Sequence, residues 1–513
     1  MQYDAHGQLG VPFREWLDFR FAYADEPDSQ IGAIWWDIGM GSWAVYPSQV
    51  LPQFEHAGLQ LWRDQGLDWV AEIIAATRRR GLEVFWNHRV SEVDITPTPE
   101  LEPGFALMMD ELNPVKAAHP DWVVKTWWWQ GLWNYANPGL RQYQLDILTE
   151  LVTNYDLDGL QLDFARHIPC LPVGRQWELR AGVTEFLRSV RLMLLEVAAR
   201  KGHPLLLAAR IPQTLEGCRE DGLDVATWAS EGLVDILTLG SRSMDVDVAA
   251  FREIVAGRNI KLQPCFDDHH ATDGYRSQPI EFLRGVLANW WQQGADSVAT
   301  FNWSNAAPEL CEEMIARRWG RGMFNEPGPV SHGQAYREVG DPPGMARRDK
   351  VFAVERRGGY PWAEGYFNRN DDAPLPTVLR NDGEPTVLRM RLSDPLREDA
   401  GQIERLILRA VLFGAREGDA IAASLNGVEL QVVEEDHGWR DGQIMSPAPQ
   451  PASGGDSFPI DPNQRLLRVD FAIPPEACEQ GTNQVAVRLS KRVPYCAMDI
   501  VLEKLEVSVA YRG

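Results

Sequence analysis

Several signatures are missing from these 513 residues, and each absence removes a class of function. The six cysteines (Cys170, Cys218, Cys265, Cys311, Cys478 and Cys496) are scattered and form no Cys-x-x-Cys pair, so their spacing points to neither a zinc ribbon nor a thioredoxin-like site. The opening Met-Gln-Tyr-Asp-Ala-His has no basic stretch followed by an apolar one, and no apolar run is long enough to span a bilayer. The expected location is therefore cytoplasmic, although a secretory signal removed before expression would read the same way. Positive charge is scarce: 50 Lys and Arg face 73 Asp and Glu, for a net charge of −23. Nucleic acids and anionic membranes are poor partners for such a chain, because both need clustered basic residues. No Gly-x-Ser-x-Gly elbow occurs. The Gly-x-Gly at Gly39 and Gly41 lacks the third glycine of a dinucleotide fingerprint.

Hydrophobic residues make up 44% of the chain, ample for large cores, and tryptophan is abundant at 20. Eleven tryptophans fall between Trp35 and Trp133, including the run Trp127-Trp128-Trp129. Trp fills cores well and also offers a flat face to sugar rings, so a site lined by early loops and plain packing are both open readings.

The first 320 residues alternate short apolar runs with helical periodicity. Strand-like runs occupy 31–37, 82–86, 132–138, 156–164, 205–209, 234–239, 260–266 and 297–301. Helical patterns separate nearly all of them, at 61–80, 139–154, 178–201, 223–232, 246–257 and 279–293, with a last one at 307–318. Such alternation specifies βαβ units and a parallel sheet, and eight units over ~300 residues fit a closed (β/α)₈ TIM barrel. The long segment 87–130, rich in proline, reads as a functional loop or inserted structure. Residues 324–345 are rich in Gly and Pro. From residue 351 onward alternating strands dominate, with turns at Asn381-Asp382-Gly383 and Asn426-Gly427. The expected organisation is α/β: a catalytic barrel over 1–323, a connecting β-rich segment over 324–385, and a jelly-roll-like antiparallel β-sandwich over 386–513. No internal repeat is evident.

In a barrel, working residues sit at the C-terminal ends of the strands. That rule selects Asp37, Asn87, Arg89, Asn134, Asp163, Arg166, His167, Arg210, Asp267, Asp268, His269 and Trp303. Glycosidic hydrolysis needs two carboxyl groups, ~5–5.5 Å apart for retention and ~6.5–9.5 Å for inversion. Asp163 with Asp267 or Asp268 is the simplest source of that pair. The competing role for Asp163 is an ion pair with Arg166 or Arg210; for the other two it is a loop cap. Arg89, Arg166, His167 and Arg210 would position substrate, with Asp37, Asn87, Asn134, His269 and Trp303 as further binding residues. His269-His270 beside two aspartates invites a metal reading, but no His-x-His follows the first strand, so neither a metal nor a cofactor is expected.

The stretch Trp133–His167 resembles the core of the glycoside hydrolase-like family ten barrel proteins. Their pattern is Asn-Pro, a helix, then Tyr-Asp-x-Asp-Gly-Ile-x-x-Asp, matched here by Asn137-Pro138 and by Tyr155 through Asp163. The resemblance implies a barrel and carbohydrate hydrolysis, without naming a sugar. Where the family often carries a double Asp, this chain has Asp163-Phe164. The expected function is therefore a two-carboxylate glycoside hydrolase with a carbohydrate as partner; a homo-oligomer remains compatible with it. A noncatalytic glycan-binding barrel and a metal-dependent barrel hydrolase or lyase are the alternatives.

Overall fold

The computed structural model describes residues 12–21, 23–38, 42–54, 57–92, 112–240, 243–267, 278–301, 332–356, 373–442, 444, 461, 463–494 and 496–513. Its first unit is an all-parallel sheet. In spatial order the strands are β1 (Ala33–Trp36), β2 (Glu83–Arg89), β5 (Gly159–Asp163), β6 (Leu206–Ile211), β7 (Ile236–Leu239), β8 (Lys261–Asp267) and β9 (Ala299–Phe301). β5 is buried at every position, as expected for a parallel strand covered on both faces.

Local chemistry explains the helices between them. The helix Pro138–Asn154 starts where Asn137 Oδ1 accepts from the amides of Gly139 and Leu140, with proline in its first turn. The helix Gln176–Lys201 stops at Gly202, whose φ of 78° suits a residue without Cβ.

One device recurs at the N-terminal ends of the strands. Asp158, Asp235 and Asp296 each accept a hydrogen bond from the amide of a neighbouring strand residue, Val84, Leu207 and Leu262 respectively. Each is also paired with an arginine from the helix that leads into that neighbouring strand: Arg78, Arg191 and Arg252. The sheet's lower edge is thus pinned three times by the same triad of helix cation, aspartate and strand amide.

The sheet curls strongly. Arg210 on β6 lies 3.8 Å from the Phe301 ring centroid on β9, although three strand spacings of ~4.8 Å would separate these strands in a flat sheet. Inside the curl, Gln161, Thr238, Gln263 and Ser297 hydrogen-bond in sequence across the strands. β1 and β9 share no ladder among the described residues. The helix His332–Glu338 links these two edges: Tyr336 Oη bonds Thr300 Oγ1, and the carbonyls of Tyr336 and Arg337 accept from Gln30.

The expected third parallel strand does not join this sheet. Leu132–Trp133 (β4) pairs antiparallel with Val123–Val124 (β3), and β2 bonds directly to β5. Its backbone donors are satisfied elsewhere: Trp133 N by Ser91 Oγ, Asn134 N by Trp122 O and Tyr135 N by Cys170 O. The helix expected at 307–318 lies outside the described residues.

The C-terminal unit is two antiparallel sheets around one apolar core. One runs β10 (Lys350–Ala353), β19 (Val501–Tyr511), β13 (Ile403–Phe413), β17 (Leu466–Ala472), β16 (Gln431–Trp439), with β11 (Thr377–Val378) also on β19; the other runs β12 (Thr386–Leu392), β18 (Gly481–Lys491), β14 (Ala420–Leu425), β15 (Val428–Glu429). β10 and β11 lie in the segment expected to connect the two units, yet both pair with β19. Among the described residues no helix is long and apolar enough to cross a membrane.

The two units meet through the helix Ile280–Gln292. Asn289 donates to Arg391 O at 3.0 Å, and a Cβ on Gly285 would stand 2.0 Å from Val351 O. Ala ordinarily stabilises a helix interior by ~1 kcal/mol over Gly. Here Gly285→Ala is expected to destabilise by about 1–3 kcal/mol through overpacking, read from the urea unfolding midpoint; a gain would contradict this packing.

Candidate active site

The C-terminal ends of the strands carry a row of alternating charge. Arg89, Asp163 and Arg210 are direct partners across β2, β5 and β6, so neighbouring side chains of opposite sign stand about one strand spacing apart, ~4.8 Å.

Asp163 sits in the middle of this row and is enclosed. Arg210 Nε donates to its Oδ1 at 2.9 Å, Arg210 Nη2 to Oδ2, and Ala165 N to Oδ1 at 3.0 Å. Neither side chain reaches solvent, Asp163 being 0% and Arg210 2% exposed. Burial alone would raise the Asp163 carboxyl; the charge and hydrogen bonds of Arg210 overcome that and hold it below its ordinary value. The expectation that this carboxylate opens into a hollow is thereby corrected. A nucleophile must face the substrate, and this carboxylate is fully enclosed in its ion pair with Arg210, the competing role recognised for it.

Two carboxylates reach a hollow beside this row: Asp37, just past β1, and Glu92, just past β2. One guanidinium holds both: Arg89 Nη2 donates to Asp37 Oδ2, and Arg89 Nη1 donates to Glu92 Oε2 at 2.7 Å. Bound to one planar fork, the two carboxylates lie within roughly 8 Å of each other, a separation compatible with the ~5–9.5 Å of glycosidase carboxyl pairs. Asp37, Arg89 and Glu92 line a small cavity of about 50 Å³ together with Asn87, His88, Trp43, Trp86, Trp133 and Gln144, among others. That volume accommodates a few waters and is too small for a sugar ring. Asn87 is buried with Oδ1 unbonded among the described residues.

The two acids are pushed in opposite directions. Burial raises the Asp37 carboxyl, Arg89 opposes this, and the negative charges of Glu92 and Asp163 add to the rise. Burial would raise Glu92 too, but Arg89, His167 and Arg166 together pull it far below the usual carboxylate range. His167 Nδ1 lies 2.5 Å from Glu92 Oε1. Burial pushes this imidazole down to about 4, against the pull of Glu92. His167 has a φ of 54°, a left-handed conformation that strains a non-glycine residue. Oppositely displaced acids in one hollow are the arrangement from which a proton donor and an ionised partner are made.

The other expected residues divide. Asn134 lies just past β4, outside the parallel sheet, and its Oδ1 accepts from Ala136 N in a local turn. Arg166 is half-buried and acts on Glu92 by charge. Asp267 ends β8, paired with Phe301. Asp268, His269 and Trp303 lie outside the described residues. Glu92 and Gln144 were not expected. A weak signal existed for Glu92: an acid three residues beyond Arg89, past the strand end where the selection stopped. Gln144, on a helix far along the chain, reaches His88 Nε2 at 2.9 Å and gave no signal.

Residues 22–170 match the model of the family described as Glycosyl hydrolase-like 10. That span runs from ahead of β1 to just past β5 and contains the Trp133–His167 stretch. No curated protein matches the chain. Among solved structures, an Anoxybacillus alpha-amylase is 12% identical over 96% of this chain and 93% of its own, with a TM-score of 0.35. The glycoside hydrolase domain of PelA from Pseudomonas aeruginosa is 12% identical over 45% of this chain and 83% of its own, at 0.29. A glycoside hydrolase family 18 N-acetylglucosaminidase from Paenibacillus barengoltzii is 16% identical over 38% and 55%, at 0.25. At such scores these likenesses bear on neither substrate nor mechanism.

Asp163→Asn leaves the Arg210 charge buried without its partner and is expected to cost about 3–5 kcal/mol. Asp163→Leu combined with Arg210→Met removes both charges and is expected to cost less. A lowered folded-state pKa stabilises above the unfolded value of ~3.9 and loses that contribution as pH falls through the folded value. The penalty of Asp163→Asn should therefore be full at pH 7 and shrink below pH ~4, as measured by chemical denaturation.

Proposed function

We propose that the protein is a glycoside hydrolase that cleaves a glycosidic bond in an oligo- or polysaccharide, with Asp37 and Glu92 as its carboxyl pair. What carries this reading is the attachment of both groups to Arg89 while their proton affinities are driven apart. The cavity beside the pair admits water but no sugar ring, so the proposed substrate lies across its mouth, and there Asp37, the raised group, gives its proton to the leaving glycosidic oxygen. Only its Oδ2 is bonded among the described residues, so Oδ1 is the oxygen that would carry the proton. Glu92 is the ionised group that serves as nucleophile or draws a proton from water. Its negative charge also supports the positive charge that develops on the sugar ring in an oxocarbenium-like transition state. Arg89 keeps the two at working separation. The Asp163–Arg210 pair lies behind them and sets the field without touching substrate.

The family match over residues 22–170 supports carbohydrate as the substrate class. The wall formed by Trp43, Trp86 and Trp133 favours proton donation as well, because apolar surroundings keep a carboxyl protonated.

The test is a hydrolysis screen over soluble oligo- and polysaccharides with product sugars identified. Asp37→Asn and Glu92→Gln are each expected to lower kcat by about 10²–10⁴-fold. Because Asp37 is raised and must be protonated to act, kcat should fall as pH rises through its pKa, and this limb should vanish in Asp37→Asn. Turnover of no glycan by the wild type, or full turnover by Asp37→Asn, overturns the reading.

A further inference from the structure

The loop joining β3 to β4 presents tryptophan to solvent in an ordered way. Trp129 is 60% exposed, the only exposed tryptophan among the described residues. Trp127 is half-buried and Trp128, between them, is buried. The rings form a succession: His167 to Trp127 at 6.3 Å, Trp127 to Trp128 at 6.0 Å, Trp128 to Trp129 at 6.5 Å between centroids. His167 also contacts Glu92. An aromatic line therefore runs from the candidate carboxylates to the surface.

The loop is held in place by contacts that have no part in hydrolysis. Trp127 Nε1 donates to Ile168 O at 2.9 Å, tying the loop to the segment after β5. Lys116 Nζ, itself buried, donates to Gly131 O at 2.8 Å. Gly131 has a φ of 72°, and a Cβ there would stand 2.0 Å from Val123 Cγ1, so the turn closes tightly against its own hairpin. Trp128 is the wedge that fixes the two outer rings. A large apolar ring held this firmly in water loses little further freedom on binding, which is how a preorganised contact contributes affinity.

We propose that Trp127 and Trp129 form a stacking track for a neutral polysaccharide, leading away from the Asp37–Glu92 pair, so that the substrate is a chain rather than a single terminal sugar. This rests on the glycosidase reading for the chemistry, but the track itself concerns binding alone. A pyranose with equatorial substituents offers a flat C–H face to each indole. Neutral chains are favoured over polyanionic ones because a net charge of −23 repels a polyanion at long range.

The test is migration of the whole chain through native gels containing a soluble neutral polysaccharide (a β-glucan, a galactomannan or starch) or polygalacturonate. The wild type should be retarded in at least one neutral gel. Trp129→Ala should bind that polymer about 3–10-fold more weakly, and Trp129→Phe should retain most of the retardation. On a short aryl glycoside, kcat and KM of Trp129→Ala should match the wild type. Equal retardation of wild type and Trp129→Ala, retardation in no neutral gel, or retardation only by polygalacturonate overturns the track. Neutral-gel retardation lost in Trp129→Ala, with no hydrolysis by the wild type, would remove the glycosidase reading and leave the track standing.

Discussion

The ion pair between Asp163 and Arg210 is the constraint on which the rest of this site depends. Two charges taken wholly out of water are tolerable only if each satisfies the other with good geometry, and here a guanidinium fork meets a carboxylate while a backbone amide takes a further position. Phe301 lies against Arg210 from the far side of the curl. The pair thus couples the rim of β5 and β6 to β9, and it fixes the sign of charge that each neighbour in the row must carry. Arg89 faces Asp163 across the next strand spacing and is drawn toward negative partners on both sides.

That row in turn shapes the hollow beside it. Arg89 has more carboxylate around it than one guanidinium can neutralise, with Asp37 and Glu92 bound and Asp163 nearby. The shortage of positive charge is shared unequally. Glu92 gains the charge of Arg166 and a hydrogen bond from His167 and stays ionised; Asp37 gains neither and is raised. Two acids of similar intrinsic strength differ in proton affinity because both share Arg89 while only Glu92 has a further cation, Arg166, beside it. The floor of the sheet uses the same elements differently. At Asp158, Asp235 and Asp296 the carboxylate meets a helix arginine and a strand amide, an arrangement that ties helix to strand.

The apolar pattern was sufficient for most of the architecture. Strand runs such as residues 159–163, uniformly buried, and the capped helix after Asn137-Pro138 were legible because periodicity and capping are local properties. The run at 132–138 misled for a physical reason. A short apolar segment is equally content in a buried parallel strand or in a hairpin packed over the strand ends, and only the donors available around it, Ser91 Oγ among them, select between these. Position along the strands likewise located Asp37, Arg89, His167 and Arg210 on the rim, and the family resemblance at Trp133–His167 was local enough to be read directly.

The order of residues by itself determined that Asp37, Arg89, Asp163 and Arg210 fall at strand ends, because apolar periodicity is carried by the chain's own covalent order; that acids and arginines alternate along the rim followed only once the expected third strand left the sheet and β2 met β5. Which acid is sealed in an ion pair and which opens to a hollow was decided only by the tertiary structure. That distinction depends on how far the sheet curls and on what crosses it, Phe301 reaching Arg210 and Arg89 spanning Asp37 and Glu92. Burial and electrostatic pairing are properties of neighbours in space, so no reading of Asp163, Asp37 and Glu92 one at a time could rank them.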